Sequence, residues 1–175
     1  MRMMRRWILP LLVATLVAFG TYQATLLATP YALMYAAMRK IGPDRPANSF
    51  YFAPMTTASN QRIVRPSPDL SYSTCVFDLS RGPVLVDINP VEGHYWSVSV
   101  FDARTDVAAV RSDRDTKGRP ARLALIKNGQ MAPEGYEAVS LGFDRGLVLL
   151  RILLHNPADF PRIDAIRRKS ICKPG

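Results

Sequence analysis

The sequence predicts a mainly β protein: an antiparallel β-sandwich or jelly-roll-like domain with an N-terminal transmembrane helix and a C-terminal helix. Three observations predict it. Short apolar, β-branched and aromatic runs recur about every ten residues from position 70 onward, with Gly, Pro, Asp and Asn between them. No long amphipathic pattern intervenes, which disfavours a parallel α/β sheet. Residues 7–38 carry no charge at all. The chain has 175 residues, enough for one domain and an anchor. We divide it into residues 1–41, an anchor and juxtamembrane helix, and 42–175, the β-rich domain.

Trp7 to Leu27 would rise about 31 Å as a helix, which matches the hydrocarbon core of a bilayer. Arg2, Arg5 and Arg6 precede it, so the positive-inside rule sets the N-terminus in the cytoplasm. Pro10 falls in the first turn, where it is tolerated. The apolar run is longer than a signal peptide's h-region and ends without a good small-x-small site, which favours an uncleaved anchor. The address is then a bacterial inner membrane, single-pass, with the domain in the periplasm. Pro30 is expected to end this helix. Residues 30–41 (PYALMYAAMRKI) read as a second short helix, lying at the interface, extending the span with a kink, or packing on the domain. Gly42 to Pro46 reads as a boundary. Residues 47–60, with Phe50, Tyr51 and Phe52, are too apolar for a free linker and read as a segment packed across the domain's edge.

The central stretch, residues 62–102, reads as three strands. Further strands are expected at 105–110, 121–127, 136–141 and 146–154. A helix is expected over 156–169, with Asn156 as cap, Pro157 in its first turn and Asp159 at its N-terminal dipole. Arg167, Arg168 and Lys169 read as a solvated helix end, or else as a contact for anionic lipid.

The net charge of +9 does not point to nucleic acid. Five basic residues flank the N-terminal apolar segment and five lie at 162–173. Residues 41–155 hold thirteen basic and twelve acidic side chains, which is nearly neutral. A basic face interleaved with aromatics is missing. Cys75 and Cys172 are the only cysteines. In an exported domain they are candidates for one disulfide. No metal-ligand spacing and no cofactor motif is present, so no metal and no cofactor is expected.

No nucleophile elbow, zinc-protease helix, dinucleotide fingerprint or P-loop occurs, so whether the chain is an enzyme stays open. His94 and His155 read as structural. The candidate ligand-binding residues are Arg65, Asp69, Tyr72, Ser73, Asp78 and Tyr95. Two prolines stiffen the segment between Arg65 and Asp69, and an Arg–carboxylate pair there would be directional. It would either lock a loop onto the sheet or floor a polar pocket for a small or carbohydrate-like ligand. Catalytic residues cannot be assigned.

The run VRPSPDLSYSTCVFDLSRGPVLV, followed by YWSVSVFDARTD, GLVLLRILL and IDAIRRKSIC, resembles the domain of unknown function 1254 family, and within it the short membrane-anchored members. The likeness covers residues 40–172. On the family's pattern the matching positions are Arg65, Asp69, Tyr72 and Ser73, then Asp78, Gly82 and Pro83. One departure is the loop at Arg111 to Arg114, where many relatives carry Asn-Asp-Arg. The resemblance implies a β-sandwich-like fold and supplies no reaction. Larger members join this domain to a second one, the domain of unknown function 1214. The resemblance therefore implies a membrane-anchored protein of that second type as a hetero-oligomeric partner. The function expected is that of an interaction or assembly subunit. The alternative is a small-molecule-binding, carbohydrate-binding or hydrolytic domain using the cluster from Arg65 to Asp78.

Overall fold

The computed structural model of the chain describes residues 2–41, 46–57 and 66–175. It begins with a single helix, α1 (Arg2–Ile41), 40 residues long. Nine strands follow among the described residues: β1 (Phe50–Phe52), β2 (Leu70–Asp78), β3 (Val84–Ile88), β4 (Trp96–Phe101), β5 (Val107–Ser112), β6 (Ala121–Lys127), β7 (Glu137–Leu141), β8 (Arg145–Leu153) and β9 (Ile171–Pro174). A single-turn helix, α2 (Asp113–Thr116), sits between β5 and β6. A 3₁₀ turn, Pro157–Asp159, and α3 (Phe160–Arg167) lie between β8 and β9.

Two sheets form the sandwich. One has the order β1-β2-β8-β4-β5, and the other β7-β6-β3-β9. All pairings are antiparallel except β6 with β7, which is parallel. The alternation in β2 shows how sequence sets the layers. Ser71, Ser73, Cys75 and Phe77 are buried, and the residues between them are half-buried. Cys75 and Phe77 join Val84, Val86, Trp96, Val98, Leu123, Leu125, Val148 and Leu150 in one core between the sheets. Cys75 of the first sheet is bonded to Cys172 of the second, with S–S 2.06 Å and Cα–Cα 6.5 Å. The loop this closes spans 97 residues. By loop-closure entropy it contributes at most about 4–5 kcal/mol.

The parallel pair requires a crossover. Residues 128–136 carry the chain back along β6 so that Leu123 meets Glu137 and Lys127 meets Leu141. Tyr136 anchors this return, its hydroxyl donating to Asp87 Oδ2 at 3.2 Å. Burial and that bond raise the Tyr136 pKa above its ordinary value.

Three expectations change. Pro30 does not end the first helix, because α1 runs unbroken through it. Proline removes one backbone bond, and docking of the following turns makes up for it. Among the described residues of α1, Pro30, Met34, Ala37, Met38 and Ile41 form a stripe shielded from solvent, at helical spacing, and Met34 is buried. These turns pack on β2 and β8. The edge segment at 47–60 contains a strand, β1, which pairs Phe50 with Cys75 and Phe52 with Ser73. The C-terminal helix is shorter than 156–169, and the chain beyond it forms β9 against β3. Asn156 caps the 3₁₀ turn, its Oδ1 accepting from Ala158 N at 2.9 Å.

β4 and β5 shift register between Val100 and Phe101. On its other side β4 sets the Phe101 carbonyl against β8 at Gly146. A β-carbon there would collide with that oxygen and with the Phe77 ring. Gly146→Ala is therefore expected to destabilise the domain by about 1–3 kcal/mol, the range for overpacking a filled core, read as a lower urea midpoint at an unchanged slope.

Candidate functional site

The candidate residues separate into three places. Asp69 and Tyr95 flank one end of β8: Leu154 N donates to Asp69 O and Leu153 N to Tyr95 O, both at 2.8 Å. Both side chains reach solvent. Tyr72 lies one turn of the pleat inward, and its hydroxyl accepts from Ser67 N at 2.9 Å. Asp78 ends the same strand, about 30 Å from Asp69 at roughly 3.3 Å per residue. It pairs with Arg145 at 2.7 Å, and its Oδ1 accepts from Ser80 N at 2.9 Å. The bond from Ser80, opposed by burial and aided by Arg145, holds its pKa below the ordinary carboxylate value. Arg65 lies outside the described residues, as does its expected pairing with Asp69. Asp69 and Asp78 thus stand at opposite ends of β2.

Ser73 belongs to a third environment, which the sequence did not announce. Its side chain points into the core and meets Arg167 of α3. Arg167 has no solvent exposure. Its Nη1 donates to Tyr72 O at 2.5 Å and Ser73 Oγ at 3.2 Å. Its Nη2 donates to Ala53 O at 2.5 Å, and Nη2 and Nε reach Asp164 Oδ1 at 2.6 and 2.8 Å. Four hydrogen bonds and the Nη2–Asp164 ion-pair contact thereby surround the guanidinium. The rings of Phe160 and Phe52 lie 5.2 and 5.7 Å from its central carbon. Burial lowers the Arg167 pKa and the Asp164 pairing opposes this. Asp164 also accepts from Arg168 Nε at 2.7 Å. Burial pushes the Asp164 pKa up, but the bonds from Arg168 and Arg167 outweigh it and hold it below the ordinary carboxylate value. The basic cluster is thus not a free solvated helix end. One of its members is a core residue and a second is paired. The missed signal was Asp164 three residues before Arg167 on a helix, the spacing of an ion pair.

Among the described residues of the domain, two concave regions bear on the site. A groove of about 280 Å³ runs beneath the C-terminal turns of α1, lined by Tyr35, Met38, Tyr51, Val76, Asp78 and Arg145. A more open cleft of about 610 Å³ lies at the Tyr95 end, between the β3–β4 loop and α2, lined by Glu92, His94, Tyr95, Trp96 and Asp113. Asp113 Oδ1 is buried there without a hydrogen-bond partner. His94 offers no free base. Its Nε2 lies 2.8 Å from Arg162 Nη2 and its Nδ1 lies 2.9 Å from Leu153 O. Arginine only donates, so Nε2 accepts and Nδ1 carries the proton. The His155 ring stacks on it at 4.9 Å. Among the described residues no group of His, Cys, Asp and Glu could hold a metal ion.

The comparisons agree with this architecture. The sequence matches the family described as "Protein of unknown function (DUF1254)" over residues 47–174. No curated protein matches it. The crystal structure of the VPA0106 protein from Vibrio parahaemolyticus is similar in fold, with a TM-score of 0.66 at 16% identity. The match covers 85% of this chain and 35% of that one. An uncharacterised protein from Burkholderia cenocepacia gives a TM-score of 0.48 at 14% identity, covering 67% of this chain and 34% of that one. The chain spans about a third of the length of these solved structures.

A pH dependence follows from Asp164. With its folded pKa depressed, it contributes stability above the unfolded carboxylate value of about 3.9 and loses it as pH falls through the folded value. Asp164→Asn is therefore expected to be less stable than the parent at pH 7, with the gap narrowing at pH 3. Urea titrations at the two pH values measure it.

Proposed function

The chain belongs to the DUF1254 family, and on that premise we propose that it is a membrane-anchored exported domain acting as an interaction or assembly subunit. The observation that carries this reading is the division of α1. From Arg6 to Thr29 every residue is exposed, and from Pro30 onward one face is docked on the sheet. The segment from Arg6 to Ile41 is long and apolar enough to cross a membrane. Its threonines suit lipid: Thr15, Thr25 and Thr29 each donate to the carbonyl four residues earlier, at 2.6–2.8 Å. The compartment we propose is the periplasmic side of a bacterial inner membrane, with a single pass and the N-terminus in the cytoplasm. Arg2, Arg5 and Arg6 support that orientation, and the disulfide suits an oxidising compartment.

The partner we propose is a membrane protein of the domain of unknown function 1214 type, which larger members of the family carry in the same chain. The sandwich offers it an edge. β5 ends the five-stranded sheet, and Val107 and Val110 on it are 55% and 44% exposed. A strand added there would pair along the outer edge of β5, where the Val110 carbonyl accepts from Arg111 Nη1 in this structure, and cover both valines. The candidate residues favour this over catalysis, because Ser73 and Asp78 are taken up by internal bonds.

A second reading is supported by the cleft beside Tyr95 and the unpartnered Asp113 Oδ1: binding of a small polar or carbohydrate-like ligand. Native mass spectrometry of the complex extracted in mild detergent, without reductant, separates the two. The proposal expects a heteromer that Val110→Lys dissociates without lowering the melting temperature. A lone chain carrying extra small-molecule mass, lost in Asp113→Asn, favours the second reading. A lone chain without added mass overturns the assembly role.

A further inference from the structure

The place where α1 leaves the domain fixes which part of the sandwich faces the bilayer. Tyr31, one residue beyond the start of docking, packs edge-on against Phe143 of the β7–β8 loop, with ring centroids 5.9 Å apart. Arg104 of the β4–β5 loop lies over the same Phe143 ring, 5.8 Å from its centroid. Arg104 is itself held by Asp106 at 2.5 Å. The β4–β5 loop is preformed: Asp102 Oδ1 accepts from Arg104 N at 2.7 Å and Asp106 N at 3.0 Å. Lys127, at the end of β6, ties in through Asp144 at 2.5 Å. One end of the sandwich is therefore joined side by side to the helix at residue 31.

Helix geometry turns this into a depth. The exposed apolar segment is bounded by Arg6 below and by the docked Pro30 above, a rise of about 36 Å, against a hydrocarbon core of about 30 Å. Tyr31 lies about 6 Å beyond Leu27, where the predicted span ends. The headgroup layer of one leaflet is about 5–8 Å thick. No linker intervenes, because α1 is continuous from the exposed segment into the docked turns.

Resting on the anchor reading above, we propose that the β4–β5 and β7–β8 loops form a membrane-contacting face, with Phe143 and Arg104 at the level of the lipid headgroups. Tyr31 and Phe143 supply the aromatic, amphipathic side chains that favour this layer. The occupant is the bilayer surface itself, not a particular lipid. The two loops and Lys127 carry Arg104 and Lys127 against Asp102, Asp106 and Asp144, so they hold no cationic excess that would select anionic headgroups. Contact is imposed by the rigid helix.

The test uses the full chain in phosphatidylcholine vesicles, with and without phosphatidylglycerol, and single nitroxide labels read by accessibility to oxygen and to an aqueous nickel chelate. The native cysteines are bonded to each other, so an added cysteine is the one reactive thiol. Gly142→Cys is suitable, because its position is exposed and a β-carbon there meets nothing within 4 Å. Glu92→Cys marks the opposite end of the sandwich and Ala14→Cys the middle of the span. The expected result is a label at residue 142 at phosphate depth in both vesicle types, a label at 92 in bulk water, and a label at 14 in the bilayer core. Equal nickel access at 142 and 92, with 14 in the core, overturns this inference and leaves the anchor standing. Free nickel access at 14 overturns the anchor reading itself.

Discussion

A positive charge with no access to water has to be satisfied completely or expelled, and the fold is arranged around satisfying Arg167. An unpaired buried ion is among the most expensive features a protein can carry. Each partner of Arg167 comes from a different part of the chain: Ala53 just after β1, Tyr72 and Ser73 from β2, and Asp164 from its own helix. None of these contacts is optional once the guanidinium is inside. The edge strand, the strand it pairs with and the C-terminal helix are thereby held in one arrangement. Phe52 and Phe160, close against the guanidinium, exclude water from it. A lysine could not replace it, because a point ammonium has three donors and no planar fork to span these acceptors.

The same β2 strand serves both layers of organisation. Its inner residues carry the disulfide, the Arg167 contact and the core. Its outer residues Thr74 and Val76 line the groove under α1. The helix is therefore not tethered to the domain but built onto it. That difference separates a domain swinging on a leash from one whose orientation to its helix is part of the fold.

The strands were legible because their signal is local. Alternation in LSYSTCVFD and the apolar runs of β4, β6 and β8 need no tertiary knowledge. The Asn156 cap was legible for the same reason. What was hidden depended on distant partners. Pro30 is a helix breaker by its own chemistry, and only the docking of Met34 and its neighbours keeps the helix going. β1 is three residues long and β9 contains Lys173 and Pro174, so neither has a pattern without β2 or β3 beside it. Arg167 looked like one of three cations on a helix end. Only the acceptors around it, the Ala53 and Tyr72 carbonyls, the Ser73 hydroxyl and the Asp164 carboxylate, make it a core residue. Residues 69 and 78 looked like neighbours because nine positions are few in sequence, but in a strand they lie at opposite ends.

The last strand in the chain has a consequence for how the protein is made. β3 needs β9 to complete its sheet, Cys75 waits for Cys172, and the acceptors around residues 53 and 72 wait for Arg167. Synthesis runs from the N-terminus, so residues 42–166 of the domain are made before any of these partners exist. During that interval the inner face of β2 is an uncovered apolar strand with an unpaired thiol. The domain is thus held open until Arg167 and β9 are made, and any factor that shields exposed strands or delays thiol oxidation would act in that window.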